Sequence, residues 1–162
     1  FRSDINAALA GLSFIPTSNF NGSGTLDINL SDLGNSGSGG ALTSSASIDI
    51  TINAINDAPT ITRIADQTID EDNATASLSF SIGDVETAAA NLTVTATSSN
   101  TALVPASNIQ LSGSGATRSV RITPLADANG TTTITLTVED ADGSQTSTSF
   151  LLTVNEIGRA HV

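Results

Sequence analysis

The residues of this chain with chemical potential are almost all acidic. Sixteen Asp and Glu stand against five basic residues, every one an Arg, for a formal net charge of −11. Asp57, Asp84, Glu86, Glu139, Asp140 and Asp142 all fall in stretches that read as turns or chain joints. Carboxylates gathered in one place form the donor set of a hard divalent cation, since Ca²⁺ takes about 6–8 oxygens from carboxylates, Asn side chains and backbone carbonyls. Without a cation the same charges repel one another. A second reading stays open beside this one: acidic residues favour exposed turns, and Asp142-Gly143 is a common turn pair. Asp84 and Glu86 also have the residue types of a glycosidase pair. No other feature points to a cleft, and with no Trp and no Tyr the aromatic lining of a sugar site is missing.

Other chemistries lack material. There is no Cys, no Lys, and one His, His161, close to the C-terminal end. Thiolate sites, Schiff bases, His-ligated zinc and a Ser-His-Asp triad are therefore not expected, and neither is enzyme activity. The acidic balance opposes nucleic acid, which needs a basic surface, and anionic membranes. No apolar run is long enough for a membrane span, so direct membrane insertion is not expected. The chain has no Met, and it is expected to be an internal piece of a longer protein.

The elements that must position the carboxylates are strands. Apolar residues alternate with polar ones at Leu78/Phe80/Ile82, Leu92/Val94/Ala96, Val120/Ile122, Ile134/Leu136/Val138 and Phe150/Leu152/Val154. That is the period of a half-buried strand, and the intervening Thr suits a pleated outer face. Weaker strands are expected over residues 60–64 and 109–111. Turn chemistry separates the runs at Gly113, Gly115, Asn129-Gly130 and Asp142-Gly143. Seven short strands in about a hundred residues predict an all-β, antiparallel β-sandwich of immunoglobulin type.

The pattern occurs twice. Residues 16–32 align without a gap to residues 124–140, with Pro16/Pro124, Asn21/Asn129, Gly22/Gly130, Thr25/Thr133 and Asp32/Asp140 identical. Residues 48–53 match 150–155 in the same way. A period of about a hundred residues marks tandem domains. The expected organisation is the C-terminal part of one repeat over residues 1–54, a joint over 55–59 with Pro59 as its stiff element, and a complete repeat over 60–155. Residues 156–162 leave the pattern and read as a non-native tail. The first repeat keeps only its last strands, near residues 12–15, 25–31 and 47–53, which leaves one sheet uncovered.

If the joint enters at one end of the second sandwich, alternating strand directions carry Asp57, Asp84, Glu86, Glu139, Asp140 and Asp142 to that same end. Asp70, Glu71, Asp72, Asn73 and Asp127 fall at the other.

Val138-Glu-Asp-Ala-Asp-Gly143, followed by a Thr-rich strand ending in Thr153-Val-Asn155, resembles the end of a cadherin repeat, as does Ile48–Asn53 leading into Asn56-Asp-Ala-Pro59. Asp84-Val-Glu-Thr87, the run from Leu92 to Pro105, and Ser112-Gly-Ser-Gly-Ala-Thr-Arg118 look like the cadherin-like or Ig-like tandem repeats of large bacterial surface proteins, many of them RTX-type adhesins. The resemblance covers nearly the whole chain apart from the tail. It implies Ca²⁺ between successive domains, with Asn56 and Asp57 on the linker, Asp84 and Glu86 after the second strand, and Asp140 before the last; strand direction adds Asp142 to the candidate metal ligands. Ala54 and Ala58 stand where the cadherin linker has outer ligands.

The resulting expectation is a spacer or stalk repeat of a large extracellular bacterial adhesin, located outside the cell or on its surface. Its partners are neighbouring repeats, with host or cell-surface ligands engaged through other domains. The alternative is a carbohydrate- or protein-binding module.

Overall fold

The computed structural model describes residues 6–7, 9–34 and 38–158. His161 lies outside the described residues. The chain divides into two compact units, residues 1–55 and 56–162.

The first unit is built on one hairpin, β1 (Gly22–Ser31) and β2 (Thr43–Ile52), paired antiparallel. The second holds β3 (Thr60–Ile61), β4 (Gln67–Asp70), β5 (Leu78–Gly83), β6 (Thr93–Ser98), β7 (Ile109–Ser112), β8 (Thr117–Ile122), β9 (Gly130–Glu139) and β10 (Gln145–Asn155), with a short 3₁₀ turn, Ala106–Asn108, before β7. Two four-stranded sheets result, ordered β4-β10-β9-β6 and β3-β5-β8-β7. Every pairing is antiparallel except β4 on β10. This is an Ig- and cadherin-like β-sandwich.

Strand parity builds the core. Along β9, Ile134, Leu136 and Val138 are fully buried at 0% exposure, and Phe150, Leu152 and Val154 of β10 lie beside them. Phe80, Ile82, Val120 and Ile122 of the other sheet belong to the same buried cluster. Successive side chains of a strand point to opposite faces, so each run commits alternate residues to the interior.

One difference from the sequence reading concerns the first strand. Instead of a single strand over 60–64, the chain pairs briefly with β5, turns inward at buried Ile64, and rejoins the opposite sheet as β4. Asp66 assists the switch, because its Oδ1 accepts the Leu151 backbone N–H at 2.9 Å. Residues 56–59, read as part of a joint, belong to the second compact unit, and Pro59 is fully buried.

The two hairpins have the same register. Leu26 faces Ile48 as Ile134 faces Phe150, Ile28 faces Ala46 as Leu136 faces Thr148, and Gly22 faces Ile52 as Gly130 faces Val154. The backbone agrees as well. Gly22 has φ 129° and Gly130 φ 127°, while Asn19 at 60° matches Asp127 at 55°. Those left-handed conformations suit Gly, Asn and Asp. Sequence repetition thus extends to the conformation of single residues.

Candidate functional site

The β9–β10 corner is organised by Asp140. It follows Val138 by two, so parity puts it on the buried face of β9, and it is only 6% exposed. Its Oδ1 accepts backbone N–H bonds from Asp142 (2.9 Å) and Ser144 (2.8 Å), and its own N–H donates to the Ser144 carbonyl at 3.0 Å. Gly143 closes the turn at φ 89°. The first unit repeats this corner: Asp32 Oδ1 accepts from Gly34 N–H at 2.9 Å and Leu42 N–H at 2.8 Å.

The incoming segment docks on this corner through Asn56. Its Nδ2 donates to Asp140 Oδ2 at 2.7 Å and to Ser144 Oγ at 2.9 Å. The Asn56 bond is the largest influence on the Asp140 carboxyl and lowers its pKa below the ordinary aspartate range; burial opposes it, and the backbone donors of Ser144, Asp142 and Gly143 assist it. A depressed carboxyl pKa contributes stability that is complete above the unfolded-state value and is lost as pH falls through the folded one. Thermal melts of the wild type should therefore lose stability below about pH 4. The Asp140→Asn variant should show a flatter acid limb. Identical limbs would mean that Asp140 is not a proton-linked anchor.

The β5–β6 loop supplies the other carboxylates. Asp84 Oδ1 accepts N–H bonds from Glu86 (3.0 Å) and Thr87 (2.6 Å), a local turn that an Asp side chain commonly closes. Glu86 Oε2 reaches the Asp57 backbone N–H at 3.1 Å. The structure thus ties Asn56 to Asp140, Asp57 to Glu86, and Glu86 to Asp84. The side chains of Asp57 and Asp142 are exposed. Glu139 accepts from Gln145 Nε2 across the hairpin. Among the described residues no three carboxylates or imidazoles converge closely enough to hold a metal ion between them.

Two oxygens at this end stand out. Asn56 Oδ1 and Asp84 Oδ2 are both buried and lack a hydrogen-bond partner. A buried acceptor left unsatisfied costs roughly 1–3 kcal/mol, and a hard cation takes oxygens of this kind. Asp140 is more committed: Asn56, Asp142 and Ser144 all donate to a carboxylate that can take about four such bonds.

The opposite end holds contacts that spacing alone does not reveal. Glu71, only 7% exposed, accepts the Ile157 N–H on Oε1 at 2.9 Å, while its own N–H donates to the Asn155 carbonyl at 2.8 Å. Asp72 Oδ1 accepts from Asp127 N–H at 3.0 Å, and Asn155 Nδ2 donates to Asp70 Oδ1 at 3.2 Å. The signal available in the sequence was that Asp70–Asn73 and Asp127 share an end. The outgoing strand clasped by Glu71 was not part of that signal.

Residues 56–154 match the bacterial Ig domain. The chain belongs to that family. Ile134, Leu136, Phe150 and Leu152, all within the matched range, are buried in its core. Comparison with curated proteins gives no match. Among solved structures, a protocadherin gammaB7 EC3-6 cis-dimer is similar at 23% identity and TM-score 0.54, over 83% of this chain and 32% of that one. The titin M3 domain is similar at 17% identity and TM-score 0.45, over 60% of this chain and 96% of its own. Domains 1–6 of the surface layer protein SbsC give 15% identity and TM-score 0.47, over 86% and 17%. The protocadherin likeness shows the fold, in agreement with the two-sheet topology. No helix among the described residues is long and apolar enough to cross a membrane.

Proposed function

We propose that this bacterial Ig domain chain is a stretch of the stalk of a large extracellular adhesin, in which repeats act as spacers. The observation carrying this reading is the shared register and shared left-handed residues of the two hairpins, since chain copied to that level of detail serves length and stiffness. Bacterial Ig domains are typically surface-exposed structural modules without catalytic activity.

Stiffening by Ca²⁺ at the incoming end of the second unit is part of the proposal. Asn56 Oδ1 and Asp84 Oδ2 support it as buried acceptors without donors. Glu86, Asp57 and Asp142 are exposed carboxylates of the same end, with Asp140 holding Asn56 in place; they do not converge on one point in this structure, so binding requires their side chains to turn inward to complete an all-oxygen shell. Held there by Asn56 and Asp84, Ca²⁺ would neutralise the acidic end and cross-link the two loops to the incoming segment. The runner-up, a glycan- or protein-binding module, needs exposed aromatic anchors, whereas Phe80 and Phe150 of the second unit are buried.

Calorimetric titration tests the reading. Millimolar Ca²⁺ should give a saturable heat and raise the melting temperature of the second unit, by mass action on the folded state. At a hundredfold excess over the dissociation constant the gain is about 2.7 kcal/mol. Asp84→Ala should abolish it. No heat and no shift removes the Ca²⁺ component, and saturable binding of a glycan or protein by the chain replaces the spacer reading.

A further inference from the structure

Five Asn residues stand in Asn-x-Ser/Thr triplets: Asn21, Asn29, Asn73, Asn91 and Asn129. That triplet is the acceptor signature for N-linked sugar, with the hydroxyl two residues on as part of what a transferase reads. A chain rich in Asn, Ser and Thr produces such triplets by composition, so their surroundings must select among them. Three have a carboxylate two residues ahead, at Asp27, Glu71 and Asp127. A carboxylate at that place gives a basic transferase site a group that an Arg holds with two hydrogen bonds.

The structure separates the three. At Asn73 the reading groups are folded away: Glu71 and Thr75 are only 7% and 2% exposed. Glu71 accepts the Ile157 N–H, Thr75 Oγ1 accepts the Ile122 N–H at 3.0 Å, and Asn73 Nδ2 itself donates to the Glu71 carbonyl at 3.2 Å. Asn29 lies mid-strand in β1, paired with Ser45, while Asp27 accepts from Ser47 Oγ and Ser31 Oγ accepts the Leu33 N–H. Asn129 differs from both. It stands in the loop just before β9, and Asp127, Asn129 and Thr131 are all exposed. The residue between acceptor and hydroxyl is Gly130, with φ 127° and open space where a side chain would be. At the corresponding place in Asn91-Leu92-Thr93, Leu92 is pinned in the core.

We propose that Asn129 is an acceptor for N-linked glycosylation of the folded domain, read through Thr131 and Asp127. The co-substrate is a sugar whose anomeric carbon carries a diphosphate, linked to either a nucleoside or a lipid. Asn129 Nδ2 forms the new bond to the anomeric carbon, the carbon–oxygen bond to the diphosphate breaks with its electron pair leaving on that group, and Nδ2 gives up one proton to a base of the transferase. The product is a bulky, solubilising surface group on the β8–β9 loop. The first repeat keeps the triplet in register as Asn21-Gly22-Ser23, with Ser in place of Thr, but has Asn19 where the carboxylate would be. It is the weaker acceptor of the two. The inference is independent of Ca²⁺ and of the stalk role.

Peptide mass spectrometry of the parent protein, taken from the cells that make it, tests this. The peptide spanning Asn129 should carry a sugar on the Asn side chain, and the peptide spanning Asn73 should carry none. Thr131→Ala and Asn129→Gln should abolish the modification, Thr131→Ser should keep it, and Asp127→Asn should lose most of it. Asn19→Asp should raise the occupancy of Asn21. Holding the chain in the cytoplasm distinguishes the donors: a sugar still attached there comes from a nucleoside diphosphate, one lost there from a lipid diphosphate, and either supports the site. An unmodified Asn129 overturns the inference, as does a sugar that survives Thr131→Ala. Equal occupancy of Asn73 and Asn129 overturns the selection made by the folded surface.

Discussion

Leu136→Ala should destabilise the second unit by about 2–5 kcal/mol, while Ile28→Ala at the equivalent position of the first should cost well under half as much. Leu136 is fully buried in the centre of β9, between Ala96 on β6 and Thr148 on β10. Truncation there removes packed atoms and leaves a cavity that the close-packed core between the two sheets collapses only in part. At about 4–8 °C per kcal/mol for a domain of this size, the melting temperature should fall by at least about 8 °C. Ile28 has the same neighbour geometry, with Ala46 opposite, but among the described residues of the first unit no second sheet is formed. Its side chain is half-buried rather than sealed between two sheets, so its truncation loses less. Scanning calorimetry of both variants makes the comparison. Equal losses would show that the first hairpin is packed around Ile28 as tightly as the second is around Leu136.

The sequence showed the fold clearly wherever strand pairing coincides with period-two alternation. β5, β8, β9 and β10 carry runs such as Ile134/Leu136/Val138, and alternation is the imprint of one buried face. β4 escaped notice because it is four residues long with one aliphatic side chain, Ile69, and exists through parallel pairing to the end of β10. Such pairing is non-local and leaves no local pattern. Residues 12–15 show the converse: the alternation is present, but a strand is defined by its neighbours, and none lies beside them among the described residues.

For the candidate site, residue type and loop position were legible, and hydrogen-bond direction was not. Asn56 reads from sequence as an oxygen donor to a cation. In the structure its nitrogen is spent on Asp140 and Ser144, and its oxygen is left without a donor. Glu71 reads as one member of an acidic turn, yet its carboxylate takes a backbone N–H of the outgoing chain.

That division of labour within Asn56 leads to the second large effect. Asn56→Ala removes the donor to a carboxylate that is scarcely exposed. Hydrogen bonds to charged groups are the costly ones to break, so the melting temperature should drop by roughly 6–20 °C. Asn56→Asp should be worse at neutral pH, because a second carboxylate then stands where the 2.7 Å bond was. Like charges at that separation do not both ionise freely. The variant should therefore regain stability on mild acidification, when the pair can share a proton, against the wild-type trend. Added Ca²⁺ gives the decisive comparison. A cation that can occupy this end neutralises the introduced carboxylate together with Asp140 and should restore more stability to the variant than it adds to the wild type. If instead Asn56→Asp melts like Asn56→Ala and Ca²⁺ moves neither, the Asn56 side chain is a neutral hydrogen-bonded clasp, and stiffness at this end comes from the clasp and buried Pro59 without a metal.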